Sequence, residues 1–276
     1  MINGNHFGKI FLYLAVILIA SISIIPFLIL LQIALNSSAS LTANGIISVP
    51  HFTLENLKIA WEKGSFPRAI LNSLCITIGS LVLTVFFSSA ASYQIARFTT
   101  RFTNACFNVF IFSMAIPPII STVPLYILMR RLNAVNTLWG MVLLYSASSM
   151  PFAIFLYTNF IRATGSQIEE AAIIDGCSEF SAFWYVLFPI LKPITSTVIL
   201  LNTVSFWNEY GRAVFFLQRQ EKFTVPLAIS VFMQKYTASW ELMASGALIG
   251  MIPPVVIFLI FQKYYIKGMA SGALKG

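Results

Sequence analysis

IFLYLAVILIASISIIPFLILLQIAL, residues Ile10 to Leu35, contains no charged side chain. A helix needs about 20 apolar residues to cross the hydrocarbon core of a bilayer, and this stretch exceeds that. It is also too long for the apolar region of a signal peptide, and no small-x-small site clearly follows, so it is expected to persist as a span. The remainder of the chain has the same character. Hydrophobic residues make up 58% of it and charged ones 9%, against roughly 25% charge in a soluble domain. A soluble chain of this size could bury a core but could not leave so little polar surface.

Further apolar stretches lie between Arg68 and Arg97, Arg101 and Arg130, and Arg131 and Arg162. A fifth starts at Pro193 and turns polar at Trp207-Asn208-Glu209, and a sixth runs from Leu242 to Gln262. Their lengths suit helices, because barrel strands are shorter and alternate in polarity. The expected fold class is an all-α membrane protein with six transmembrane helices. An even number of spans puts both termini on one side. With the termini inside, Lys9, Arg97, Arg101, Arg162, Lys192, Lys263, Lys267 and Lys275 are internal. Lys58, Lys63, Arg68, Arg130, Arg131, Arg212, Arg219, Lys222 and Lys235 are then external. That balance does not decide the orientation. It also spreads the net charge of +8 over both sides, so no nucleic-acid face is implied.

The segment from Asn36 to Pro67 reads as a long polar loop with a turn signal at Thr53-Leu54-Glu55-Asn56 and an interfacial anchor at Trp61. Pro26, Pro117-Pro118, Pro124, Pro151 and Pro253-Pro254 should bend their spans, a feature that membrane helices tolerate. Cys75, Cys106 and Cys177 show no paired spacing and read as small buried hydrophobes. His6 and His51 have no partner pattern, so no metal site is expected. No internal repeat supports the inverted plan of many secondary carriers. No P-loop pattern occurs, so the chain cannot supply its own ATPase.

The informative polar segment is SQIEEAAIIDGCSEFSAFWYVLFPILKP, Ser166 to Pro193. Ser166 with Glu169 reads as a capping box, and Glu169 and Glu170 suit the positive end of a helix dipole. The helix should end near Gly176 in a left-handed turn. Ser178 can cap a second helix, which Pro189 and Pro193 bend into the fifth span. Ile168, Ala171, Ala172 and Asp175 share one face of the first helix, where the alanines let another surface approach closely. Patterning alone favours a surface helix that only closes a loop.

Glu170-Ala171-Ala172, then Gly176 three residues on, then nine residues to Val186, Phe188 and Pro189, resembles the EAA motif of permeases in binding-protein-dependent ABC importers. Val186 and Phe188 replace its Ile and Leu. Asn72-Ser73 and Ser92-Tyr93-Gln94-Ile95-Ala96-Arg97 are similar to the NS…AYxxAR pattern of the carbohydrate branch, specifically the maltose-type second permease. So are Leu132-Asn133-Ala134-Val135-Asn136-Thr137, Trp207-Asn208-Glu209-Tyr210, Thr224-Val225-Pro226-Leu227 and the tail from Gly268 to Gly276. Ala163-Thr164-Gly165-Ser166 departs from the family, which usually has a proline before the acidic helix.

The resemblance implies a type I ABC importer transmembrane domain with a cytoplasmic coupling helix. Its ATPase-coupling residues would be Glu169, Glu170, Ala171, Ala172, Asp175 and Gly176, and both termini would be cytoplasmic in the cell (inner) membrane. It divides the chain into 1–68, the first span and an extracytoplasmic loop, then 69–267, a permease core, then 268–276, a cytoplasmic tail lying against the ATPase. The tail would be read as disordered on composition alone. The implied partners are a second homologous permease, two copies of an ATPase subunit and an extracytoplasmic solute-binding protein, with membrane lipid around them and no nucleic acid. No cofactor belongs on this chain, and ATP and Mg sit on the partner ATPase. The implied cargo is a sugar or oligosaccharide. A phosphorylated polyol or other small solute, or a secondary carrier or channel, are the rival readings.

Trp207, Asn208, Glu209 and Tyr210 are candidates for the substrate path, since sugars are held by planar hydrogen bonds and aromatic faces. Glu209 is an acid at the edge of a span, a costly and often functional placement. Its competing role is an ion pair with Arg212 on the same helix face.

Overall fold

A computed structural model describes residues 6–37, 52–233 and 239–273. Among these residues the chain forms helices and turns, with no β-strand. Four helices are long and apolar enough to cross a membrane, and two bent pairs would raise the number to 6 if each is one span. The helices fall into two compact units, Met1–Pro67 with Ala228–Met251, and Arg68–Leu227 with Ile252–Gly276.

In the first unit, α1 (His6–Leu35) is the charge-poor opening stretch. The turn signal at Thr53 proves to be the start of a helix, α2 (Glu55–Lys63), inside the segment read as loop. The Thr53 hydroxyl accepts the Glu55 amide at 3.1 Å. Asn56 is buried and donates to the carbonyls of Ala34 and Asn36 at 3.0 and 2.7 Å, so α2 is tied to the open end of α1, where carbonyls lack helical partners. Trp61 is 44% exposed. Pro50 and His51 lie outside the described residues.

The second unit is organised around α3 (Phe66–Arg97) and α6 (Leu138–Ala163). One side of α3 carries small polar residues at helical spacing, and Thr77, Ser80, Thr84, Ser88 and Ser92 are all buried. The Ser80 hydroxyl donates to the Val142 carbonyl at 3.3 Å, Thr84 bonds Ser149 at 2.9 Å, and Ser92 donates to the Ile154 carbonyl at 3.1 Å. Small residues let membrane helices approach closely, and hydroxyls then bond across the seam. Around it pack Ile76, Met141, Leu144, Tyr145 and Phe206 in one cluster, and Tyr93, Tyr157, Phe183 and Leu187 in another.

The third apolar stretch is not one straight helix. α4 (Arg101–Ser113) and α5 (Pro118–Arg131) meet at 108°. Pro117 is extended at φ −58°, ψ 129°, because the residue before a proline is pushed out of the helical region. Ahead of the fifth stretch, α8 (Glu179–Ile190) and α9 (Lys192–Trp207) meet at 72°, a bend between Pro189 and Pro193 as expected. Residues Ala182–Leu187 of α8 form a π-helical turn. α11 (Trp240–Ala273) runs through Pro253 and Pro254 without a break, and its helix continues into the tail as far as Ala273. That corrects the expectation from composition for residues 268–273, because the local backbone bonds of a preceding helix extend a polar end more readily than they start one. Residues 274–276 lie outside the described residues.

Candidate functional site

Two places in the second unit hold the residues singled out by sequence. The first is α7 (Gln167–Ile174), which follows α6 after residues 164–166. The expected capping box is absent. Ser166 is itself near-helical at φ −77°, ψ −12°, and its side chain caps nothing. Glu169 does not turn back to it but reaches Arg97, the last residue of α3. Arg97 Nη2 and Nε donate to the two Glu169 carboxylate oxygens at 2.6 and 3.1 Å. The same guanidinium donates from Nη1 to the Ile161 carbonyl at 3.0 Å and from Nη2 to the Thr164 carbonyl at 2.9 Å. A buried acid with a planar, charged fork in reach gains more from that pair than from a neutral amide.

The far end of α7 closes as expected. Gly176 is left-handed at φ +93°, and the Gly176 and Cys177 amides donate to the Ile173 and Ala172 carbonyls, each at 3.0 Å. The Ser178 hydroxyl then accepts the Ser181 amide at 3.2 Å and starts α8. α7 packs against the π-helical turn. Most of the rest of its surface is open: Ile168, Ile173 and Ile174 are 54%, 44% and 85% exposed, Glu170, Ala171 and Asp175 are exposed, and Ala172 is half-buried.

The second place is the turn after α9. The helix stops at Trp207, so Glu209 and Arg212 do not share a helix face as expected. Their ion pair forms across the turn, from Arg212 Nη2 to Glu209 at 2.9 Å. The other Glu209 oxygen accepts the Arg212 amide at 3.0 Å, which closes the turn into α10 (Ala213–Phe216). Arg212 also lies 5.4 Å from the centre of the Tyr145 ring, which stacks on Phe206. Trp207 is 2% exposed and Tyr210 44%, while Asn208 is exposed. Of the four candidates, Asn208 and Tyr210 are exposed, Trp207 is buried, and Glu209 is engaged by its own turn.

Three bracing residues carried motif matches but no assigned role. Arg97 was counted only as flanking charge. Asn72 donates to the Glu221 and Phe223 carbonyls at 3.0 and 2.9 Å. Asn136, left-handed at φ 60°, accepts the amides of Gln218 and Arg219 at 2.6 and 3.1 Å. The available signal at Arg97 was a hydrogen-bonding side chain at the very end of a span, where backbone groups lack partners. No group of three His, Cys, Asp or Glu able to hold a metal occurs among the described residues.

Residues 84–271 match the family described as binding-protein-dependent transport system inner membrane component. The chain belongs to that family. The permease is 38% identical over 260 residues to the melibiose/raffinose/stachyose import permease protein MelC of Bacillus subtilis (strain 168), 94% of each chain. It is 28% identical over 272 residues to the arabinooligosaccharides transport system permease protein AraQ of the same organism, 97% of the permease and 96% of that relative. In fold it resembles the crystal structure of a bacterial ABC transporter involved in the import of the acidic polysaccharide alginate. That likeness has a TM-score of 0.81 at 19% identity, over 96% of the permease and 100% of that chain. The permease is thus a multi-pass membrane component of an ABC importer with the type I fold, and a transport component rather than an enzyme. Family membership sets aside the carrier and channel readings.

Proposed function

We propose that the permease forms half of a translocation path for an oligosaccharide of the galactoside class, and that α7 is its docking helix for an ATPase. The observation that carries the docking role is the exposed surface of α7: Ile168, Ile173 and Ile174 are all exposed on a short helix held at both ends. Water-facing isoleucines on a held helix favour a protein partner. The ATPase, in two copies, would bring ATP and Mg; the other partners are a similar, non-identical permease and an extracytoplasmic binding protein. The docking helix then lies in the cytoplasm together with both termini. The chain divides into 1–68, the core 69–267 and the tail 268–276. Glu170, Ala171, Ala172 and Asp175 face the ATPase, Glu169 holds the helix from behind, and Gly176 ends it. Along the path, Asn208 and Tyr210 supply the hydrogen bond and ring face for sugar, over Trp207 and the Glu209–Arg212 pair. The cargo class is supported by the likeness to a melibiose/raffinose/stachyose permease along most of both chains.

The direct test is raffinose uptake into proteoliposomes. ATP-dependent uptake is expected from the four-component complex, and an active transporter purified with only this chain and ATPases would refute the heteromeric plan. Ala172→Trp should release the ATPase and stop uptake while the spans still insert. Uptake equal to wild type would return α7 to a plain connector.

A further inference from the structure

Arg97 stands where three elements meet, the end of α3, the end of α6 and the first turn of α7. We propose that Arg97 is the positioning residue through which α7 moves α3, an inference that rests on the docking role given above to α7. The covalent chain cannot do this. From α7 it leads back to α6 through residues 164–166 and forward to α8 through Gly176, whereas Arg97 and Glu169 are 72 residues apart in sequence. The bridge therefore supplies a direct mechanical tie between a helix outside the membrane and the longest helix of the polar seam.

The geometry is specific to arginine. Two N–H groups grip both oxygens of Glu169, and two more donate to the carbonyls of Ile161 and Thr164 at the C-terminal end of α6. A lysine keeps the charge but cannot hold a fork and two carbonyls in one plane. The side chains of Arg97 and Glu169 are only 15% and 5% exposed, so salt and water do little to loosen the contact. One rigid group thus references the start of α7 to the ends of two spans. A push on α7 is passed on to the end of α3 as well as to α6, so that both spans follow α7 with the seam of hydroxyl contacts between them kept intact.

The test uses the whole reconstituted transporter with raffinose as the probe. Arg97→Lys and Glu169→Gln are each expected to lower raffinose imported per ATP hydrolysed about tenfold, a typical size for coupling between sites, with the same amount of ATPase co-purifying. The double variant should be no worse than the worse single one, because both break one unit. A wild-type ratio in either single variant, or losses that multiply in the double, overturns the inference. Should a variant chain be lost from the membrane, Glu169→Asp is the second probe, keeping the charge on a shorter arm. A lowered ratio in inserted Glu169→Asp supports the proposal; a wild-type ratio, or loss of that chain too, overturns it. Ala172→Trp separates the two claims. If it leaves ATPase capture and uptake intact, the docking role fails. If it releases the ATPase while the bridge variants keep a wild-type ratio, only the positioning role fails.

Discussion

At Gly140 the constraint is space. A Cβ there would collide with the Ala134 carbonyl and the Thr137 hydroxyl, which itself accepts the Gly140 amide at 3.1 Å and caps α6. Gly140→Ala should therefore destabilise the protein by about 1–3 kcal/mol, the usual cost of overpacking. Gly165→Ala, whose Cβ would meet nothing within 4 Å, should be near neutral. At Gly176 the constraint is the backbone. Nothing lies within 4 Å of its Cβ position either, but φ is +93°, so Gly176→Ala should cost about 1 kcal/mol from left-handed strain alone. Thermal unfolding of the three variants in detergent checks the order, Gly140 worst and Gly165 mildest. Gly176 was legible as a helix end because its position after an acidic-headed, alanine-rich stretch demands one. Gly140 was not, because its neighbour Ala134 sits across a turn whose left-handed residues, Asn133 and Asn136, only the backbone reveals.

Among the elements, the α3–α6 seam shows where membrane packing takes its specificity. Hydrophobic burial cannot drive these helices together in lipid, so close approach and hydroxyl bonds must. Thr84 and Ser149 form one such bond at 2.9 Å. A double-mutant cycle with Thr84→Val and Ser149→Ala, followed by denaturation in mixed detergent, should give a coupling of about 0.6 kcal/mol, the mean for such pairs. A coupling near zero would mean that the seam is held by shape alone. The buried small polar residues of α3 recur in the sequence at helical spacing, so a polar face could be read there, though its partner α6 could not. The break between α4 and α5 was half-legible. Pro117-Pro118 announced a bend, but its 108° angle depends on what the two arms pack against.

For the whole molecule the constraint is the bilayer. The most apolar stretch of α1 has no residue buried within the described chain, and Ile19 is 64% exposed, so this stretch is stable only in an apolar surround. Ile19→Arg should cost about 2.5–3.5 kcal/mol of insertion free energy, read from the fraction of chains inserted in a translocon assay. The proposed orientation has its own check. Single cysteines at Glu170 and Gln218, in a chain whose Cys75, Cys106 and Cys177 are first replaced by alanine, should react with an impermeant thiol reagent from opposite sides: Glu170→Cys only in inverted vesicles, Gln218→Cys in intact cells. The reverse pattern would place α7 outside and end its docking role.

The membrane class, the position of the apolar stretches and the presence of a glycine-ended helix between the fourth and fifth were determined by the sequence itself. Each depends on local properties, namely runs of apolar side chains, left-handed glycine and small residues on one helical face. The EAA-like residues even placed α7 to within a residue or two of Gln167–Ile174. What Glu169 does was decided only by tertiary structure. Read locally it belonged to a capping box with Ser166; in the folded chain it faces Arg97. The same is true of Glu209, whose pair with Arg212 needed a turn rather than a helix. A carboxylate near the end of a helix can bond its own backbone or a distant cation. The choice depends on which charged group the packed spans bring within reach, and sequence spacing does not encode that.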